Sequence, residues 1–152
     1  MTARLRVLFV CVGNACRSQI AEAMANHLAP DLLGASSAGI SPLGRVPEST
    51  RLVLFERGIQ MDGQFSKGMK DPSLPSVDII VNLTGIPGAA LFPDRKVIDW
   101  EVTDPYGDDM ETYRRVRDDI DAHLRDWIAE LRAERTGDVS PPAAQPVKAS
   151  IR

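Results

Sequence analysis

Three observations predict an α/β fold, a four-stranded parallel sheet flanked by helices. Four candidate strands, at residues 5–10, 35–40, 77–83 and 96–100, are spaced by stretches of helical periodicity and turn chemistry. Strands alternating with helices argue a parallel sheet covered on its faces. The third run, Val77-Asp78-Ile79-Ile80-Val81-Asn82-Leu83, is rich in β-branched residues and nearly continuous in apolarity. A strand buried on both faces reads that way. The first run passes a Gly13-Asn14 pair and enters the Ala-rich segment from Gln19 to Ala25. That order places a loop at the carboxyl end of the first strand, where open α/β sheets take their ligands.

Size and composition set bounds on what such a fold could do. The 152 residues suffice for one domain with one core. We expect that domain over residues 1–135, with 136–152, proline- and alanine-rich and without periodicity, as a flexible tail. A net charge of −3 with mixed signs offers no basic field for nucleic acid. No apolar run is long enough to span a bilayer, and the first is too short and lacks the cleavage signature of a signal peptide. A cytoplasmic protein without a nucleic-acid or membrane partner is expected. The two cysteines, Cys11 and Cys16, fall in one loop. A disulfide scaffold would spread them, and a structural zinc site needs more ligands, so no metal is expected and the pair is catalytic or redox-active if it has a role.

In chain order, the segment from Cys11 to Ser18 comes first. Strand, loop and helix N-terminus together present unpaired backbone N–H groups and the positive end of a helix dipole, which favour an oxyanion. Gly13 permits close backbone approach, Asn14 tolerates a left-handed turn, and Arg17 offers a planar fork for two phosphate oxygens. Val12, Gly13, Asn14, Ala15, Cys16, Arg17 and Ser18 are therefore the expected anion-binding residues. Cys11, at the helix N-terminus near an arginine, is expected to react as a thiolate, with Ser18 placed to hydrogen-bond its sulfur. The alternative is a buried cysteine ending a strand before an ordinary helix cap.

The second strand, with Ser37, is short and made of small residues. A helix follows from Pro47 to its stop at Gly58, with Leu52, Val53 and Phe55 among its apolar residues. In the loop from Gln60 to Lys70, Phe65 either walls a pocket or anchors packing. After the fourth strand comes Asp104-Pro105-Tyr106-Gly107. The proline keeps Asp104 extended on a shaped loop, which suits a general acid, although taken alone the pair reads more readily as a plain Asp-Pro turn. From Met110 to about Arg132, apolar residues recur at threes and fours, an amphipathic helix whose Arg and Asp residues are expected to form a solvated face. His27 and His123 read as ordinary helix residues.

The segment VLFVCVGNACRSQIAEAM, residues 7–24, resembles the N-terminus of the low-molecular-weight protein tyrosine phosphatases and of the arsenate reductases that share their fold. The resemblance covers about residues 4–132 and implies a phosphatase-like three-layer sandwich. It implies Cys11 as nucleophile, Arg17 as oxyanion clamp and Asp104 as acid, with Tyr106 beside it. It also implies that Ser37 hydrogen-bonds Asn14, where the residues alone allow simple packing just as well. Two departures matter. The phosphatases place a second aromatic after the tyrosine, and Gly107 stands there. Thioredoxin-coupled reductases carry redox cysteines after the third strand, where this chain has Leu83-Thr84-Gly85 and no cysteine.

The expected function is a phosphomonoester hydrolase, of the phosphotyrosine kind, working through a thiophosphoryl enzyme. The alternative is an arsenate reductase using an external thiol such as glutathione or mycothiol, which Gln64-Phe65-Ser66-Lys67 and the approach Ile98-Asp99-Trp100 resemble. A non-catalytic oxyanion binder is a third class. Phosphate, arsenate or another tetrahedral oxyanion is the expected ligand, and no cofactor is expected.

Overall fold

The computed structural model describes residues 3–137. The elements are β1 (Leu5–Cys11), α1 (Arg17–Leu28), β2 (Leu33–Gly39), α2 (Glu48–Phe55), β3 (Ile79–Asn82), α3 (Gly88–Leu91), β4 (Val97–Asp99) and α4 (Met110–Thr136). They form a four-stranded sheet in the order β2-β1-β3-β4, with every pair parallel. The chain leaves β1 toward β2 on one side and returns to β3 on the other. The loop after β1 therefore sits at the topological switch point, where strand ends diverge and leave a crevice.

β1 shows why its sequence is uniformly apolar. Val7, Phe9 and Cys11 join the larger core with α1, α2 and α4, while Leu8 and Val10 face the other way onto Ala38 and Ile80. Alternate side chains point to opposite faces, and both faces are covered. Met69, Leu74, Val77 and Phe92, the residue after α3, close the second face. Trp100 joins sheet to helix on the first: its ring lies 6.0 Å from Phe9, stacks on His123 at 4.9 Å and meets Trp127 edge-on.

The elements differ from the sequence expectation mainly at their ends. β3 is shorter than 77–83 because Asp78 turns its carboxylate onto the Arg6 backbone and guanidinium. β2 begins earlier, at Leu33, which pairs with Leu5. The short helix α3, opened by Pro87, had no legible periodicity. α2 ends at Phe55, and the turn to Gly58, at φ 72°, completes the stop. α4 continues through Thr136 to a left-handed Gly137. The first two residues of the expected tail, 136–152, thus belong to the helix and its cap, and the rest, residues 138–152, lies outside the described residues.

One expectation needs correcting. Arg117 of α4 is not part of a solvated face; it is 5% exposed and donates to the Val53 carbonyl at 3.0 Å and to Glu56 at 2.7 Å. A helix of many arginines hides which of them points at a neighbour, since periodicity places Arg117 next to the apolar residue Val116 rather than on a separate stripe. Arg114 reaches the same carboxylate at 2.8 Å. The two guanidinium groups hold the Glu56 carboxyl at about 2, against an ordinary 4.5. No helix among the described residues is long and apolar enough to cross a membrane.

Candidate active site

Residues 11–17 wrap a concavity at the end of β1, and their carbonyls are tied down from outside it. Cys11, Val12 and Gly13 oxygens accept from the amides of Ile40, Ser41 and Leu43 at 3.1, 2.8 and 2.9 Å. The Ala15 oxygen accepts from the Thr50 hydroxyl at 2.9 Å. All peptides among the described residues are trans. In a trans peptide the N–H points opposite to its C=O. The amides of Val12, Gly13 and Cys16 therefore turn away from those partners, and these three residues line the pocket.

Two residues make this curvature possible. Asn14 sits at φ 49°, a left-handed conformation that asparagine accepts more readily than most residues. Gly39, at the end of β2, lies so close that a Cβ there would come 2.7 Å from the Val12 oxygen and 2.8 Å from the Asn14 nitrogen. Any other residue would push strand and loop apart.

Cys11 is 2% exposed, and its Sγ lies 2.9 Å from Ser18 Oγ. Asn14 Nδ2 donates to Ser18 Oγ at 2.7 Å and to Ser37 Oγ at 3.0 Å. The structure thus brings Ser37 to the loop asparagine as the resemblance implied. Cys16 differs from its neighbour. Its sulfur lies 3.4 Å from the Tyr113 hydroxyl, and burial pushes its thiol up, against the opposing bonds from Tyr113 and Thr50. Burial raises Tyr113 strongly as well. Both groups stay protonated at neutral pH.

Arg17 is 6% exposed and rigidly placed. Its Nη1 donates to the Leu83 carbonyl at 2.6 Å and to the Val102 carbonyl at 3.3 Å, while Nη2 lies 3.6 Å from Asp104 Oδ2. Its Nε is buried with no hydrogen-bond acceptor among the described residues. A buried cationic donor without an acceptor is costly, and a tetrahedral oxyanion in the loop would supply one.

Asp104 and Tyr106 approach from the loop between β4 and α4. Asp104 Oδ1 accepts from the Tyr106 amide at 3.1 Å, and its side chain is 53% exposed. The cavity these parts enclose measures about 210 Å³ and is lined by residues 11–17 except Asn14, with Ser41, Leu43, Asp104 and Tyr106; Asn14 and Ser18, expected among the anion-binding residues, are fully buried and do not line it. Ser41 and Leu43 escaped the sequence reading because they lie in an irregular stretch without periodicity. Phe65 does not line the pocket; it is 47% exposed with the Lys67 ammonium 4.6 Å over its ring. At the rim, Arg45 donates to the Tyr106 hydroxyl at 3.4 Å.

Sulfur, buried guanidinium, inward amides and an exposed carboxyl on one cavity suit in-line attack on a tetrahedral centre with protonation of the group that leaves. Comparison with known proteins points the same way. Residues 6–137 match the family described as low molecular weight phosphotyrosine protein phosphatase. The glutaredoxin arsenate reductase of Synechocystis sp. is 31% identical over 130 residues, 83% of this chain and 98% of that protein. A solved structure described as an arsenate reductase in the phosphate binding state has 29% identity and a TM-score of 0.71, covering 84% of this chain and 98% of its own. An arginine phosphatase from Geobacillus stearothermophilus has 25% identity and a TM-score of 0.77, covering 91% and 99%.

Proposed function

Since the chain belongs to the low molecular weight phosphotyrosine protein phosphatase family, we propose that it is a cysteine-dependent phosphomonoester hydrolase with phosphotyrosine as its substrate class. The observation that carries this reading is the buried Arg17 Nε, free of any acceptor among the described residues, in the same cavity as Cys11 and Asp104. The loop amides and Arg17 hold the equatorial oxygens of the phosphoryl group. Cys11 Sγ attacks phosphorus in line, and Asp104 protonates the departing oxygen. A thiophosphoryl enzyme results. Water, deprotonated by Asp104, then attacks phosphorus, and Ser18 steadies the sulfur as it leaves. Leu43 and Tyr106 give the mouth apolar surface from two different loops, so the wall that Gly107 leaves open on one side is partly supplied from another.

A second reading is favoured by the curated relatives, several of which are named arsenate reductases. The loop would hold arsenate as it holds phosphate, with an external thiol as reductant. The chain's two cysteines share one loop, and Cys16 is turned to Tyr113, so neither supplies a separate relay. Aryl phosphate hydrolysis and arsenate-dependent oxidation of glutathione or mycothiol, assayed side by side on one preparation, separate the two readings. Ester hydrolysis without added arsenate is the expected result; efficient arsenate turnover with negligible hydrolysis would overturn it.

A further inference from the structure

The carbonyl that holds Arg17 belongs to a peptide whose other end is held by a side chain. β3 closes at Asn82, and the next residue, Leu83, still gives its amide to the Val10 oxygen at 2.7 Å. The Leu83 carbonyl accepts from Arg17 Nη1 at 2.6 Å. The N–H of that same peptide is the one of Thr84, and it has no strand partner. Asn82 Oδ1 takes it instead, at 3.1 Å, and also accepts from the Thr84 hydroxyl at 2.8 Å. N–H and C=O point in opposite directions across a trans peptide. A side chain that draws the Thr84 N–H to one side therefore turns the Leu83 oxygen to the other, onto the guanidinium.

The Asn82 amide has one orientation. A backbone N–H can only donate, so the atom facing Thr84 is the Asn82 oxygen. A backbone carbonyl can only accept, so the atom facing the Ile86 oxygen at 2.7 Å is Nδ2, which also donates to Asp99 Oδ1 at 2.9 Å. Asp99, the last residue of β4, receives the Gly88 N–H as well, at 3.1 and 3.2 Å to its two oxygens. Gly88 has to be glycine for this, since a Cβ there would come 2.5 Å from Asp99 Oδ1.

We propose that Asn82 is a positioning residue for Arg17: by orienting the peptide between Leu83 and Thr84 it commits Nη1 to the protein and leaves Nε, which has no acceptor among the described residues, for the oxyanion. Asn82 is 2% exposed and does not line the cavity. Without its side chain the Thr84 N–H is unheld, and the peptide can turn its oxygen away from Arg17. The Val102 carbonyl, at 3.3 Å from Nη1, still restrains the guanidinium, so the effect is graded and not total.

The test uses inorganic phosphate as the probe, titrated by calorimetry into the full chain as wild type, Asn82→Ala, Asn82→Ser, Arg17→Ala and the variant carrying both alanines. Asn82→Ala should weaken phosphate about tenfold, the scale of one misplaced hydrogen bond from a charged group. A serine hydroxyl can still accept from an N–H two residues on, more weakly, so Asn82→Ser should recover part of that affinity. With the guanidinium removed there is nothing left to position. In the Arg17→Ala background, Asn82→Ala should then change the affinity by less than about twofold. A general loosening of the fold would instead give the same loss in both backgrounds. That result, or an unchanged affinity in folded Asn82→Ala, overturns the proposal. Should Asn82→Ala not fold, Asp99→Ala, which frees the Asn82 amide while keeping the turn, goes through the same cycle and should weaken phosphate about threefold. An unchanged affinity there overturns the proposal equally.

The inference rests on the oxyanion site of the hydrolase reading, not on turnover, so the two fail separately. An active hydrolase whose phosphate affinity ignores Asn82 loses only this role. A wild type that binds phosphate but hydrolyses no aryl phosphate overturns the hydrolase, and the phosphate cycle still decides Asn82. A wild type that binds no phosphate overturns both.

Discussion

The two loops that meet over the pocket are held in opposite ways. In residues 11–17 backbone oxygens are bound by the loop after β2 and by α2, while Asn14 alone joins Ser18, Ser37, Gln19 and the Lys67 amide. The acid loop rests mostly on its own turn, through Asp104 to the Tyr106 amide and the Asp108 amide to the Pro105 oxygen, with a long Arg45 contact at the rim and Arg17 Nη2 3.6 Å from the Asp104 carboxylate. Its carboxylate stands more than half exposed. The difference follows from the tasks proposed for them. Donors that meet developing charge must be fixed beforehand, because reorganising them during reaction costs the stabilisation they offer. An acid that delivers a proton, then takes one from water, must reach solvent between the steps.

The comparison predicts first that chemistry in the fixed loop is all-or-none. Cys11→Ser should abolish turnover of an aryl phosphate while phosphate binding, followed by calorimetry, persists, because the hydroxyl keeps the loop's shape but is a poor nucleophile at neutral pH. Turnover near the wild-type rate would remove Cys11 from the reaction. The exposed loop should instead show a graded effect. Asp104→Asn should slow esters with basic leaving groups by about 10²- to 10⁴-fold, and those with good leaving groups far less. An equal loss across a leaving-group series would mean that Asp104 only shapes its turn.

A smaller effect measures how redundant the fixed loop is. Thr50 is fully buried and its hydroxyl holds the Ala15 oxygen. Thr50→Ala removes one bond of many and should cost about 1 kcal/mol of unfolding free energy. If the other bonds hold the loop, kcat falls by less than about tenfold, the equivalent of roughly 1.4 kcal/mol on the barrier. A hundredfold loss with little change in stability would show that the loop depends on single contacts, and the contrast with the acid loop would fail.

The sequence carried the fixed loop better than its surroundings for the same reason. Residues 11–18 are local: strand, Gly-Asn, arginine and helix follow each other, and each residue type answers a backbone need that can be read in place. The parallel sheet followed from the alternation of elements, whereas the strand order β2-β1-β3-β4 came only with the fold. What stayed hidden was contact at long sequence distance between residues with no pattern of their own. Leu43 lines the pocket from an irregular loop, Gly39 is required by an approach only the fold reveals, and Asn82 ends an apolar strand whose pattern gives no hint of Asp99. Arg117 was misread because a charged residue beside a buried stripe looks the same in sequence whether its head reaches water or a carboxylate.

Glu56 extends the contrast to the scaffold and gives the smallest expected effect. It follows α2, the helix whose Thr50 holds the anion loop, and ties that helix to Arg114 and Arg117 of α4. Its carboxyl is held at about 2 in the fold against an ordinary 4.5. A carboxyl lowered in this way adds stability that is complete above the unfolded value and is lost as pH falls from 4.5 toward 2. Asp31 beside Arg132 and Asp78 beside Arg6 are lowered too, so the whole protein should lose stability with acid, and Glu56 accounts for only part of it. Glu56→Gln should therefore be less stable than wild type at pH 7, with the gap closing as pH approaches 2, measured by urea unfolding at each pH. Because the bridge reaches the anion loop only indirectly, through α2 and through the Tyr113 contact of α4 with Cys16, phosphate affinity at pH 7 should barely change. A gap that stays constant with pH would assign the loss to packing; a large fall in phosphate affinity would mean that the anion loop is held from α4 and not by its own bonds.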